Sequence, residues 1–242
     1  MPEREKIIGV LGGMGPEATL QFFRLLLRLT PAAKDQDHLR IIIDDNPKVP
    51  DRTEAILGRG PSPVPALVES AGLLQRAGAD FIAIPCVSAH FFLEELRQKV
   101  SLPILSIFDA VAETIEQEHP DLETVGLMAT TGTVQGGLFQ ARLKAGRIET
   151  LVPEEASQAR IMAAIYDIKN AKASRSRARI SADLAVAAGR LVGRGAQAIV
   201  AGCTEIPLAL GQEQVSVPYF DSLRLLARAA IRAAGREPAG GA

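Results

Sequence analysis

The chain has 242 residues, a formal net charge of −1, and 47% hydrophobic and 23% charged residues. That length can bury one large or two small cores, and the near-zero charge gives no general electrostatic reason to expect a nucleic-acid or anionic-membrane partner. With no tryptophan and 4% aromatic residues, stacking on bases or sugars is not a theme either.

Met1 to Lys6 leads directly into a β-like run, with no signal-peptide apolar region and no uninterrupted apolar stretch of membrane-spanning length. The expectation is a cytoplasmic protein whose two cysteines, Cys86 and Cys203, are free thiols. Residues 7–11 make a buried-strand run that ends in Gly12-Gly13-Met14-Gly15-Pro16, and Glu17 to Leu29 carry apolar residues at helical spacing. A glycine loop between strand and helix exposes backbone N–H groups that suit a phosphate or a carboxylate. A tight turn without a ligand is its plainer reading. The loop has neither the P-loop ending nor the dinucleotide-binding spacing.

A second strand spans Leu39 to Asp44. Asp45 to Thr53, rich in proline and polar residues, reads as an ordered loop. Arg52 in that loop is a candidate fork for a substrate carboxylate, because guanidinium accepts one bidentately. After Pro61, Pro63 and Pro65 comes a helix from about Ala66 to Ala77, then a strand within Gly78–Cys86, and helical character from Phe91 to Lys99. A thiol at the start of that helix is favoured as thiolate by the helix dipole. His90 lies one turn beyond, but three histidines in the chain leave too few partners for a metal, so it is expected to pack or to support the cysteine.

Leu102 to Ile107 reads as a strand and Asp109 to Glu118 as a helix that crosses into a second half. There Thr124 to Met128 replays the opening strand. Ala129 to Thr133 replaces the glycine loop, with Thr130, Thr131 and Thr133 as hydroxyl donors for a carboxylate; helix capping accounts for one of them. A helix from Gln135 to Ala145, a strand near Glu149 to Val152 and a helix from Glu155 to Ile168 follow, with Lys169 at its end. Lys172, Arg175, Arg177 and Arg179 form a basic run without interleaved aromatics, read as solvated. Then come a helix from Arg179 to Arg194, a strand within Gly195–Cys203, an amphipathic helix from Ser222 to Ala234, and a tail, Pro238 to Ala242, expected to fray.

The two cysteine segments match: each is a glycine-led turn, an apolar run, and a cysteine at the strand's carboxyl end, where open α/β sheets place ligands. Their separation, 203 − 86 = 117, also pairs Gly9 with Gly126, Gly15 with Gly132, Ala71 with Ala188, Gly72 with Gly189, Leu74 with Leu191, Ile82 with Ile199 and Arg52 with Lys169. Two similar halves facing each other across a pseudo-twofold axis would set the thiols on opposite walls of one cleft. Small buried hydrophobes are the alternative fate of such cysteines.

Gly-Gly-Met-Gly-Pro-Glu-Ala-Thr at 12–19, Asn-Pro-Lys-Val-Pro-Asp-Arg-Thr at 46–53, Ile-Pro-Cys at 84–86 with Ala-His at 89–90, Ala-Thr-Thr-Gly-Thr at 129–133 and Ala-Gly-Cys-Thr-Glu at 201–205 resemble the aspartate/glutamate racemase family, closest to its aspartate racemase branch. The likeness spans about residues 7–226. It implies an α/β fold: two flavodoxin-like, doubly wound domains with parallel sheets, related by pseudo-twofold symmetry, with the active site between them. We expect residues 1–108 plus 213–242 to form one domain and 109–212 the other.

The resemblance further implies a homodimer that needs no cofactor or metal and interconverts D and L forms of aspartate or glutamate, independently of PLP. Cys86 and Cys203 take the catalytic roles, and Arg52 and Lys169 bind the side-chain carboxylate. Met14, Asn46, Val87, Ser88, Thr130, Thr131, Thr133 and Thr204 are the other expected substrate contacts. Val87 departs from the family's asparagine and lacks its amide, and Asp45 brings a charge where the loop commonly has asparagine. A related cysteine-dependent isomerase or racemase of another carboxylated compound, and a catalytically silent binder of an acidic amino acid, are the alternatives.

Overall fold

The computed structural model describes residues 4–170 and 175–240. Met1 to Glu3, Lys172 of the basic run, and Gly241 and Ala242 of the tail lie outside them. The first half runs β1 (Ile8–Gly12), α1 (Pro16–Leu29), β2 (Ile41–Asp45), α2 (Arg52–Ile56), α3 (Val64–Arg76), β3 (Phe81–Ala83), α4 (Leu93–Lys99) and α5 (Ile107–Glu118). The second runs β4 (Thr124–Ala129), α6 (Thr131–Gly136), α7 (Leu138–Ala145), β5 (Glu149–Leu151), α8 (Glu155–Lys169), α9 (Arg177–Gly193), β6 (Ala198–Gly202), β7 (Tyr219–Asp221) and α10 (Ser222–Ala233). Two parallel sheets result, ordered β2-β1-β3 and β5-β4-β6-β7, the α/β architecture of two flavodoxin-like domains.

The repeat is visible in the register. Ile8, Gly9 and Val10 pair with Phe81, Ile82 and Ala83, while Val125, Gly126 and Leu127 pair with Ala198, Ile199 and Val200. Both strands shift by the same amount, 125 − 8 = 117 and 198 − 81 = 117. Gly9 and Gly126 are alike in what crowds them: a Cβ on Gly9 would stand 2.9 Å from Ala79 and 3.4 Å from Leu74, and one on Gly126 would stand 2.9 Å from Leu191. Each thus lets the helix carrying its matched leucine lie close on the sheet. The offset fails at the outer strands, where Ile8 faces Ile41 but Val125 faces Thr150, a shift of 150 − 41 = 109. Arg52 opens α2 and Lys169 closes α8, so these two cations are not equivalent points of the repeat.

Strand side chains alternate between two layers, as the pleat requires. Ile8, Val10, Phe81, Ala83, Val125, Leu127, Ala198 and Val200 join one core cluster that contains residues of α1, α5, α7 and α10 and so spans both halves. Leu11, Ile82 and Ile84 face a second cluster under α3 and α4, and Met128, Ile199 and Ala201 a third under α8 and α9. Burial on both faces explains why the strands read as continuous apolar runs.

Several elements differ from expectation. Of Leu102–Ile107 only Ile104 pairs, with Ile82. Pro103 has no N–H to give, and Ser106 already caps α5 by accepting from the Asp109 N–H at 3.1 Å. Its counterpart β7 is a full strand that its short run and the flanking Pro218 had concealed. This strand joins the second sheet, although the division drawn from sequence assigns 213–242 to the first half. The stretch Gln135–Ala145 is two helices, because Gly137 turns left-handed at φ 69°. The tail is tied down as far as Ala239, whose N–H donates to the Leu29 carbonyl at 2.6 Å. In the basic run, Arg175 bridges Asp167 on α8 and Asp183 on α9, while Arg177 and Arg179 are exposed.

The glycine loop after β1 packs on the loop after β2. Gly13 has φ +88°, and a Cβ there would meet the Asn46 backbone at 2.2 Å. Gly13→Ala is therefore expected to destabilise the protein by about 3 kcal/mol or more, since the left-handed backbone disfavours a side chain and the new Cβ would overlap main-chain atoms of Asn46. Urea unfolding checks this, and an unchanged midpoint would contradict the packing.

Candidate active site

The two cysteines follow strands of different sheets, and Lys169 interacts with both. Cys86 follows β3 and is 3% exposed; Cys203 follows β6 and is 4% exposed. Both are free thiols. Between the halves lies a small cavity lined by Arg52, Ser88, Thr130 and Lys169, with Asp51, Thr53, Met162, Ile165 and Tyr166 completing the wall. Its volume is about 10 Å³, room for no more than about one water. A wider cavity of about 660 Å³ lies between the end of α5 and β7, but neither thiol, Arg52 nor Lys169 lines it.

Arg52 is read from sequence as a loop residue, yet it is the first residue of α2, which Asp51 caps by accepting from the Glu54 N–H at 3.0 Å. The residue is 9% exposed, and its guanidinium donates to the carbonyls of Val49 (3.1 Å), Pro50 (2.9 Å) and Met14 (3.3 Å). The Nε is buried without a partner. Met14 takes part through that carbonyl while its side chain lies in the core. Asn46 stiffens its own loop, accepting from the Lys48 N–H at 3.0 Å and donating to Ser70 at 3.3 Å.

Cys86 Sγ lies 3.6 Å from Ser88 Oγ, ahead of a 3₁₀ turn, Ser88–Phe92, that leads into α4. Val87, whose apolar side chain loses the family's amide, packs in the shared core instead. His90 faces the carbonyls of Cys86 (2.9 Å) and Leu105 (3.2 Å) and packs against Phe108. It fixes the backbone that carries the thiol. On the opposite side Thr130 caps α6, accepting from the Thr133 N–H at 3.1 Å, and the two hydroxyls are 3.0 Å apart. Thr131 is turned toward α8: its N–H meets Met162 Sδ at 3.1 Å, and its hydroxyl accepts from Gln158 at 3.3 Å. Of the threonines from 130 to 133, only Thr130 lines the cavity.

Glu205, which sequence reasoning does not select, joins the remaining groups. Its carboxylate accepts from Cys203 Sγ at 3.0 Å, from Thr204 Oγ1 at 3.4 Å and from the Gly15 N–H at 3.3 Å, and it lies 3.5 Å from Lys169 Nζ. Burial, followed by the Glu205 charge, pushes the Cys203 thiol well above its ordinary value, and Lys169 offsets this only in part. Burial opposes the charge on Lys169 too, but Glu205, Cys203 and Cys86 together raise its pKa. Cys203 is therefore a protonated thiol at neutral pH, beside an ammonium that both sulfurs feel.

Burial lowers the His90 pKa to about 4, against partial support from its two carbonyl partners. A lowered histidine pKa means stability that is whole above the unfolded value near 6.5 and is lost as pH falls toward 4, on the order of 3 kcal/mol in all. His90→Gln should remove this component. The stability difference between wild type and variant, followed by denaturant unfolding from pH 6.5 to 4, is expected to shrink by that amount; a constant difference would contradict it.

Among the described residues, no three His, Cys, Asp or Glu side chains converge as a metal-binding group, and no helix is long and apolar enough to cross a membrane. The profile of the Asp/Glu/Hydantoin racemase family matches residues 11–230. The broad specificity amino-acid racemase RacX of Bacillus subtilis is 28% identical over 232 residues, covering 93% of this chain and 96% of that protein. The structure of an aspartate racemase from Picrophilus torridus superposes with a TM-score of 0.85 at 29% identity, covering 96% of each chain. A glutamate racemase from Francisella tularensis, at 15% identity and a TM-score of 0.68 over 95% of this chain and 81% of that one, shares the fold. With the family profile spanning both sheets and both cysteines, the chain belongs to the Asp/Glu/Hydantoin racemase family.

Proposed function

We propose that this protein is a cofactor-independent racemase that interconverts the D and L forms of an acidic amino acid, aspartate or glutamate, by proton transfer between Cys86 and Cys203. The observation that supports the reading is the pair of buried thiols that follow matched strands of two sheets, both within electrostatic reach of Lys169, which lines a small cavity with Arg52. Racemisation removes the α-proton from one face and returns a proton to the other. Two opposed thiols can do this, whereas one base cannot readily reach both faces.

Cys203, held protonated, is the donor in the resting enzyme, and Cys86 is the base for the enantiomer whose α-hydrogen faces it. The roles exchange for the other enantiomer. Arg52, Lys169 and the Thr130 hydroxyl hold the carboxylates, and donors around the α-carboxylate stabilise the carbanion as it forms. A homodimeric assembly and a cytoplasmic location belong to the same reading, as extensions of the family resemblance.

The test is to incubate the purified protein, without added cofactor, with each enantiomer of aspartate and glutamate and to separate the products by chiral chromatography. Conversion of both enantiomers of at least one acid to a 1:1 mixture is the expected result. No conversion of any of them would overturn the proposal.

A further inference from the structure

The wider cavity, of about 660 Å³, is formed by the end of α5, residues 207–218, β7 and the first two turns of α10. That volume is ordinary for a small-molecule site, which spans roughly 300–1,000 Å³. It shares no lining residue with the small cavity beside Arg52 and Lys169.

Its wall has two characters. Pro207, Val217 and Pro218 supply apolar surface, while Glu118 at the end of α5 and Asp221, Arg224 and Arg228 at the head of α10 supply charges of both signs. Arg224 and Arg228 lie one turn apart and so share a face of the helix. Arg228 also donates to Glu118 at 3.1 Å, which ties α10 to α5. Asp221 caps α10, its Oδ1 accepting from the N–H groups of Leu223 (2.9 Å) and Arg224 (3.1 Å). Burial nonetheless raises its pKa to about 6, so a neighbouring ammonium would favour the charged form. Tyr219 lines the same wall, and its hydroxyl is buried with no partner among the described residues, a cost that a ligand bearing donors would remove.

Two carboxylates and two guanidinium groups leave this set of four neutral in sum. A simple anion entering the cavity would meet Glu118 and Asp221, and a simple cation would meet both arginines. A molecule that carries both charges avoids either conflict.

We propose that this cavity is a second ligand site, for a zwitterion with an apolar body: its ammonium pairs with Asp221, its carboxylate with Arg224 and Arg228, and its apolar part packs on Pro207, Val217 and Pro218. A free apolar amino acid and a short apolar peptide share that chemistry. The site does not depend on the racemase reading. It does adjoin the second thiol, because Pro207 belongs to the turn Ile206–Leu208, in which the Ile206 N–H donates to the Cys203 carbonyl at 3.1 Å.

The experiment is calorimetric titration of the purified full chain with L-leucine and with leucyl-leucine, and with N-acetyl-L-leucine and L-leucinamide as singly charged controls. At least one zwitterion is expected to bind, and both controls at least about tenfold more weakly, as loss of one charge-assisted contact implies. Asp221→Asn, which keeps a cap for α10, and Arg228→Met should each raise Kd by a similar factor. Ser216→Trp, which fills the cavity from an exposed position, should abolish binding, and it serves if a charge variant does not fold. Lys169→Met should leave binding unchanged. Tighter binding of leucyl-leucine assigns the site to peptides, and tighter binding of leucine assigns it to free amino acids.

No binding of either zwitterion, equal binding of a singly charged control, or binding unmoved by Asp221→Asn and Ser216→Trp would overturn the inference. Loss of binding in Lys169→Met would overturn it as well, since the probe would then occupy the site between the thiols.

Discussion

Cys203→Ala is expected to lower racemisation by about 10³-fold or more, and Cys86→Ala by a similar factor, because each removes the acid or base on one face of the substrate. What separates this scheme from a general loss of the site is the residual chemistry. A single remaining thiol can abstract an α-proton and return a solvent deuteron only on its own face. Any exchange left in Cys203→Ala should therefore be confined to one enantiomer, and any left in Cys86→Ala to the other. Cys203, held as the thiol at neutral pH by its burial and by Glu205, must lose its proton before it can act alone as the base, so any exchange left in Cys86→Ala should be slow and should rise with pH. Chiral chromatography of the products with NMR of the α-position measures both quantities. Near-normal racemisation in either variant would contradict the two-thiol scheme.

Arg52→Ala is expected to cost about 3 kcal/mol of stability and to abolish turnover together. Three buried or partly buried carbonyls, those of Met14, Val49 and Pro50, receive hydrogen bonds from this one guanidinium. They belong to the two loops that line the first half's side of the site, and truncation leaves them without that donor. Arg52→Lys should rescue little of this, since an ammonium is a compact charge and cannot reproduce a planar fork across three carbonyls. Thermal unfolding and racemisation rates of the two variants test the point. A lysine variant that matched wild type in both would show that charge alone is needed at this position.

The parts legible in the sequence are those whose signal is local or repeated. Apolar runs bounded by glycine marked β1, β3, β4 and β6, and the 117-residue offset anticipated a register that both sheets share. It extended to the packing of Leu74 on Gly9 and Leu191 on Gly126. The offset misled at Arg52 and Lys169, which line one cavity but from opposite ends of unlike helices. The helical start at Arg52 was readable in Asp51-Arg52-Thr53-Glu54, where an acidic cap precedes a glutamate three residues later.

Glu205 was not readable, because its partners come from afar. Gly15 is 190 residues away, and Lys169 lies on another helix. A glutamate beside a cysteine has no spacing that betrays a buried carboxylate. Val87 shows the converse: the missing amide was evident, but that its side chain faces the core rather than the cavity depends on the backbone between β3 and α4.

The most direct test of the central claim is the fate of deuterium in the first turnovers. Purified protein in deuterated water is offered each enantiomer of aspartate and of glutamate separately, and the α-position of substrate and product is read by NMR at low conversion. Proton transfer between two thiols predicts product that carries deuterium while the remaining substrate keeps protium, in both directions. Deuterium entering substrate and product equally, or no exchange with any of the four amino acids, would contradict it.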